Sequence, residues 1–138
     1  MLIASVYVND LIYTCDDEEM MSSFKCLMMQ VFEMTDLGKI KFFLGIEVSQ
    51  QGDCIFISQK KYALEILKRF GMIESCEVNS PIVPGSKLSK DTDGAATDES
   101  FYKQIIGSLM YLTSTCPNLV YSVRLINIYM ARPTELHL

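Results

Sequence analysis

Histidine is nearly missing from this sequence: among 138 residues only His137 carries an imidazole, and tryptophan is absent. A Cys/His zinc site or a Cys/His catalytic pair would have to draw on that one residue, so both classes have little support. Paired-cysteine motifs are missing as well. Cys15, Cys26, Cys54, Cys76 and Cys116 are odd in number and scattered, with no Cys-x-x-Cys spacing, which points to reduced thiols in an intracellular protein. No apolar run approaches the roughly 20 residues of a membrane span, and Met1 to Val8 lacks the basic leader of a signal peptide. Positive charge is in deficit, at a net −5. That balance argues against a free-standing, high-affinity nucleic-acid binder, because such surfaces work by displacing the counterions around phosphates.

What is present supports one modest core or two small lobes, since 49% of the residues are hydrophobic. Ser5-Val6-Tyr7-Val8-Asn9-Asp10-Leu11-Ile12-Tyr13 places a polar pair between β-prone residues and reads as a tight hairpin with Asn9-Asp10 at its tip. The tip is either an ordinary turn or a presented carboxylate; one carboxylate is a weak metal signal, because Mg²⁺ is normally shared between carboxylates and substrate phosphates.

Asp16 followed by Glu19 resembles a capping box that starts a helix, with Met20, Phe24, Leu27, Met28 and Val31 as its apolar stripe and Gly38 closing the element. Ile40, Phe42, Leu44, Ile46 and Val48 then alternate with Lys41, Phe43, Gly45, Glu47 and Ser49, the pattern of one strand with an apolar face. A turn at Gln50-Gln51-Gly52-Asp53 returns it as Cys54-Ile55-Phe56-Ile57, a second hairpin. Ser58 reads as the N-cap of a helix with Ala63, Ile66, Leu67 and Phe70 inward and Gly71 at its end. From Lys39 to Arg69 six bases face three acids, so a basic face exists on an acidic chain. A solvated helix face and a phosphate-tracking one both explain it. Residues 72–98, with Pro81, Pro84-Gly85, Asp91, Asp93 and Gly94, read as a long connection. Asp98 or Thr97 caps a further helix striped by Phe101, Ile105, Leu109 and Leu112, and Pro117 opens another through Val120, Val123, Leu125, Ile128 and Tyr129. The expected class is α+β.

Taken in order, Tyr7-Val8-Asn9-Asp10, Phe32-Glu33-Met34-Thr35-Asp36-Leu37-Gly38, Phe43-Leu44-Gly45-Ile46-Glu47-Val48, Ser58-Gln59-Lys60-Lys61-Tyr62, Arg69-Phe70-Gly71-Met72, Ile106-Gly107-Ser108-Leu109-Met110-Tyr111-Leu112-Thr113 and Arg132-Pro133-Thr134-Glu135-Leu136-His137 resemble the C-terminal part of a copia-type LTR-retrotransposon reverse transcriptase. The resemblance implies a partial right-hand polymerase palm over residues 1–57, two hairpins with a packed helix, followed over 58–138 by a small helical thumb and connection bundle. It also implies an RNA/DNA duplex as partner, a deoxynucleotide as the small-molecule substrate and Mg²⁺ at the hairpin tip. Tyr7, Phe43, Leu44, Gly45, Ile46, Glu47, Lys60, Lys61, Lys68 and Arg69 are the implied nucleic-acid contacts, Phe43 to Glu47 as a primer-grip-like hairpin in which Gly45 lets the primer lie against bare backbone.

The chain departs from the family where chemistry is concentrated. Asn9 stands at a metal aspartate position and leaves Asp10 as the surviving ligand, while the earlier palm aspartate and the fingers fall outside the sequence. Cys116-Pro117-Asn118, Asn127-Ile128 and His137-Leu138 replace the family's Arg-Pro-Asp, Ser-Arg and His-Trp. The expectation is an inactive remnant of a polyprotein polymerase that binds no metal tightly. The alternative is a residual nucleic-acid-binding module using the basic 39–69 face, with weak duplex affinity and no membrane partner.

Overall fold

The computed structural model describes every residue except 53, 84, 86, 87 and 90–93. Among the described residues the fold is α+β, with four α-helices and two small antiparallel sheets. The chain divides into two packing units, Met1–Ile40 and Lys41–Leu138.

In the first unit β1 (Leu2–Tyr7) pairs with β2 (Asp10–Cys15), with Tyr7 opposite Asp10. The hairpin is the expected one, but its two turn residues are Val8 and Asn9, one position earlier than the Asn9-Asp10 pair that turn propensity favours. Valine takes the strained place, at φ +53°, where a β-branched side chain crowds the backbone. Helix α1 (Glu18–Val31) is capped by Asp17, whose carboxylate accepts from the Glu19 and Met20 amides at 2.8 and 3.0 Å. Asp16 therefore sits one residue outside the cap. Phe24 meets Tyr13 of β2 edge-on at 5.2 Å. The side of α1 turned to the hairpin runs through Met21, Phe24, Lys25 and Met28, while Met20, Leu27 and Val31 of the expected stripe are exposed. The helix stops before Gly38. That glycine, at φ +74°, serves a later turn in which its amide donates to the Asp36 carboxylate at 2.9 Å. No residue of this unit, all of which are described, is buried.

The second unit begins with β3 (Phe42–Phe43), β4 (Ile46–Gln51) and β5 (Cys54–Ser58), ordered β3-β4-β5. The continuous strand expected over Ile40–Val48 is in fact folded into a hairpin. Leu44 and Gly45 both adopt positive φ, +48° and +77°, the sign pattern of a type I′ two-residue turn, and Phe43 faces Ile46 across it. Glycine tolerates that backbone, and the alternating pattern conceals the reversal. The β4–β5 hairpin is as expected, although β4 runs on through Gln51 to pair with Cys54; Asp53 lies outside the described residues.

Helix α2 (Lys60–Arg69) follows an N-cap at Gln59, not Ser58, and Gln59 makes no side-chain cap bond. It ends at Gly71, φ +69°, with the Met72 amide donating to the Leu67 carbonyl at 2.8 Å. Ile66 is buried, whereas Leu67 of the expected inward set is 38% exposed. Helix α3 (Glu99–Leu112) is capped by Asp98 through the Ser100 amide. Its buried face runs through Tyr102 and Ile106 and not through Phe101, which lies edge-on to Phe70 at 5.7 Å. A 3-10 turn at Pro117–Leu119 leads into α4 (Val120–Asn127). Tyr102, Ile106, Val123 and Ile66 form the core, and the Tyr102 hydroxyl donates to the Ile126 carbonyl at 2.8 Å.

A C-terminal clasp closes this unit. The Thr134 amide donates to His137 Nδ1 at 3.0 Å, leaving Nε2 to donate to the Ser89 carbonyl at 3.0 Å, and the imidazole stacks on Tyr129 at 4.1 Å. Thr97 and Glu135 bond the backbones of Pro133 and Ala95. Thus described parts of the 72–98 connection are tied to the chain's last turn; Pro84, Asp91 and Asp93 of that connection lie outside the described residues.

Candidate functional site

The first candidate lies at the tip of the β1–β2 hairpin. Tight reversal through Val8-Asn9 leaves Asn9 and Asp10 exposed, with Asp10 as the first residue of β2. The chemistry this offers is one carboxylate beside one neutral amide. Among the described residues no group of three or more His, Cys, Asp or Glu side chains comes together. A two-metal centre needs several carboxylates to offset the cations and hold them in place. The donor set at this tip, among the described residues, does not fit such a centre by itself.

The second candidate lies in the second unit. Reversal at Leu44-Gly45 changes which side chains share a face. Phe42 pairs with Glu47, and Ser49 pairs with Phe56, so Phe42, Glu47, Ser49, Phe56 and Ser58 project from one side of the sheet, and Phe43, Ile46, Val48 and Ile57 from the other. Helix α2 starts beside the first of these faces. The Glu47 carboxylate accepts from the Lys61 amide at 2.8 Å, supplying the helix cap that Gln59 does not. Lys61 Nζ lies 5.7 Å from the centre of the Phe42 ring, a cation–π distance. An open groove of about 400 Å³ is bounded by Lys41, Phe42, Glu47, Phe56, Lys60 and Lys61.

The ten residues expected to contact nucleic acid therefore separate. Lys60, Lys61 and Glu47 share the groove, but Glu47 is committed to the helix terminus. Leu44 and Gly45 form a turn whose Leu44 carbonyl accepts from the Tyr111 hydroxyl. The Gly45 Cα faces the Tyr111 ring, at 3.4 Å from where a Cβ would be, so a side chain of α3 is the group that approaches this glycine. Phe43 and Ile46 lie on the opposite sheet face. Lys68 and Arg69 sit two turns along α2, and Arg69 is paired with Glu65 at 2.8 Å. Tyr7 belongs to the first unit, 50% exposed.

Lys41 belongs to the basic 39–69 face, whereas the sequence pattern marks Phe42 and Phe56 only as strand residues. Phe42 counts as part of an apolar strand face until Leu44-Gly45 is recognised as a turn, and the positive φ that Gly45 permits is the signal that could have revealed it. Among the described residues no helix is long and apolar enough to cross a membrane.

Residues 1–84 match the family described as reverse transcriptase (RNA-dependent DNA polymerase). Over 133 residues, 96% of this chain, the sequence is 35% identical to the retrovirus-related Pol polyprotein from transposon RE1 of Arabidopsis thaliana, 9% of which is covered. It is 27% identical over 145 residues to the corresponding polyprotein from transposon TNT 1-94 of Nicotiana tabacum, covering 11% of it. An uncharacterised mitochondrial protein of Arabidopsis thaliana is 32% identical over 129 residues, and here the match covers 53% of the relative. The chain thus spans about a tenth of the polyproteins and about half of the mitochondrial protein. No solved structure is significantly similar.

Proposed function

Because this chain belongs to the reverse transcriptase family of RNA-dependent DNA polymerases, as a copia-type segment of a transposon polyprotein, we propose that it keeps the position of a polymerase active site without the means to run it. Residues 1–57 correspond to the far part of a palm, residues 58–71 open the thumb, and the remainder leads toward the ribonuclease H segment. The family uses divalent metal ions, Mg²⁺ in this reading, to stabilise charge during nucleotidyl transfer. Asp10 is the residue that would contribute to holding them.

The observation that carries the reading is the hairpin tip, where Asn9 occupies the turn beside Asp10 and supplies no charge. The metals provide most of the transition-state stabilisation in such a reaction, so an incomplete carboxylate set removes orders of magnitude of rate. Primer extension with Mg²⁺ or Mn²⁺ tests it, using the chain as given and its Asn9→Asp variant. Neither is expected to extend a primer. Extension by the unaltered chain overturns the reading, and extension by Asn9→Asp but not by the parent overturns the inference that more than one ligand is lacking.

A second reading is favoured by the groove beside α2. There Lys41, Lys60 and Lys61 line the groove on a chain that is acidic as a whole, an arrangement suited to a nucleic-acid backbone. Binding of this kind weakens linearly in log affinity against log salt. A flat salt titration, or a Lys60→Ala/Lys61→Ala variant that binds like its parent, removes this reading.

A further inference from the structure

We propose that the sheet face bearing Phe42 and Phe56 is a stacking platform for an unpaired nucleic-acid strand. The inference rests on the backbone-binding reading of the groove and adds which kind of strand it takes.

Three observations support it. Phe42 and Phe56 are 55% and 61% exposed on β3 and β5, the two strands that flank β4, and the pairing register places both rings on the same face. Burial elsewhere does not explain their exposure, since the core of this unit is built from Ile66, Tyr102, Ile106 and Val123. The rings share their groove with Lys41, Lys60 and Lys61. Lysine is depleted where apolar protein partners meet, whereas cations interleaved with exposed aromatics are what a base-stacking surface needs. Finally, the Glu47 carboxylate is oriented toward the α2 terminus, where it accepts the Lys61 amide, and the Lys61 ammonium is held beside the Phe42 ring, next to where a phosphate would pass.

The geometry favours a single strand over a duplex. Bases in a duplex already stack and pair, so they offer their phosphates but not their faces. An unpaired strand offers both, and each base that stacks on an aromatic ring gains affinity irrespective of sequence. Lys60 and Lys61 follow the backbone while Phe42 and Phe56 receive bases.

Fluorescence anisotropy on the full chain tests the proposal, with a labelled oligothymidylate of about 12 nucleotides and a duplex of the same length, each over a range of salt. The single strand is expected to bind about tenfold more tightly than the duplex. Phe42→Ala/Phe56→Ala should lose roughly tenfold or more for the single strand and little for the duplex. The conservative Phe42→Tyr/Phe56→Tyr variant should retain binding, which separates ring stacking from damage to the fold. Lys60→Ala/Lys61→Ala should lower the salt slope by about two, one for each phosphate contact. Equal or tighter duplex binding, alanine variants that bind like the parent, or tyrosine variants that fail like alanine would overturn the platform. Salt-dependent duplex binding without single-strand preference defeats the platform and leaves the backbone reading standing; loss of both ligands defeats both.

Discussion

The Tyr111 hydroxyl donates to the Leu44 carbonyl, joining α3 to the β3–β4 turn across 67 residues of chain. The tyrosine ring also covers Gly45 and meets Tyr62 of α2 edge-on, with centroids 5.0 Å apart. Two segments far apart in the sequence, one around Leu44-Gly45 and one around Gly107 to Tyr111, are thus in direct contact. The turn that assigns Phe42 and Phe43 to their faces is held by a residue of the later helix.

Tyr111→Phe keeps the ring and removes the donor, and should cost about 1 kcal/mol of unfolding free energy. Gly45→Ala places a methyl group against that ring at φ +77°, where left-handed backbone disfavours it, and should cost about 1–2 kcal/mol. Urea denaturation measures both. The double variant should show non-additive losses, since the two sites touch.

Gln59 is 3% exposed, its Oε1 accepts from the Thr115 hydroxyl at 2.8 Å, and its Nε2 has no partner among the described residues. Thr115→Val leaves both ends of this amide unpaired and should destabilise by about 1–3 kcal/mol. Adding Gln59→Met, which removes the stranded polar group at similar length, should recover part of the loss in the same denaturation assay.

Lys25 and Asp36 form an ion pair within the first unit. The Lys25 side chain, followed by the Gly38 amide, holds the Asp36 carboxyl below its ordinary value of 3.8, and Asp36 in turn raises Lys25. A carboxyl whose value is depressed on folding adds stability above the unfolded value and loses it as pH falls through the folded one. Acid should therefore loosen the tail after α1 below about pH 3.8, and Asp36→Asn should abolish that limb of the profile. An NMR titration of the Asp36 carboxyl carbon checks the direction.

Val8 sits at φ +53°, a conformation costly for a β-branched residue, by about 1–3 kcal/mol. Val8→Gly relieves the strain and gives back part of it as unfolded-chain entropy. The expected net result is a stabilisation of about 1 kcal/mol, measured as protection of the β1–β2 amides in hydrogen exchange.

The first unit has no buried residue, while Val6, Leu27, Val31 and Phe32 are each more than half exposed. Strand β5 adds Ile55, Phe56 and Ile57, all exposed at a sheet edge. Such edges and patches favour self-association. Light scattering and melting at several concentrations should show concentration-dependent, poorly reversible unfolding; a sharp, reversible and concentration-independent transition would contradict this.

Local sequence determined the elements whose causes are local. Both expected hairpins, the helices after Asp16, Ser58, Asp98 and Pro117, and the termination at Gly71 follow from β-propensity, apolar periodicity and backbone freedom within a few residues. The ordered set of motifs from Tyr7 to His137 determined the family. Tertiary structure decided what depends on partners far along the chain. The periodicity of Ile40 to Val48 is equally that of one long strand, and only the turn at Leu44-Gly45, with Tyr111 against it, moves Phe42 to the Glu47 face and Phe43 to the other. Glu47 caps α2 from across the sheet, and His137 finds Thr134, Tyr129 and Ser89 through contacts that no nearby residue announces. At the hairpin tip the balance reverses. The neutral Asn9 beside Asp10 is legible in the sequence, whereas the shift of the turn to Val8-Asn9 follows from strand register, which sets Tyr7 opposite Asp10 and makes valine bear the strain.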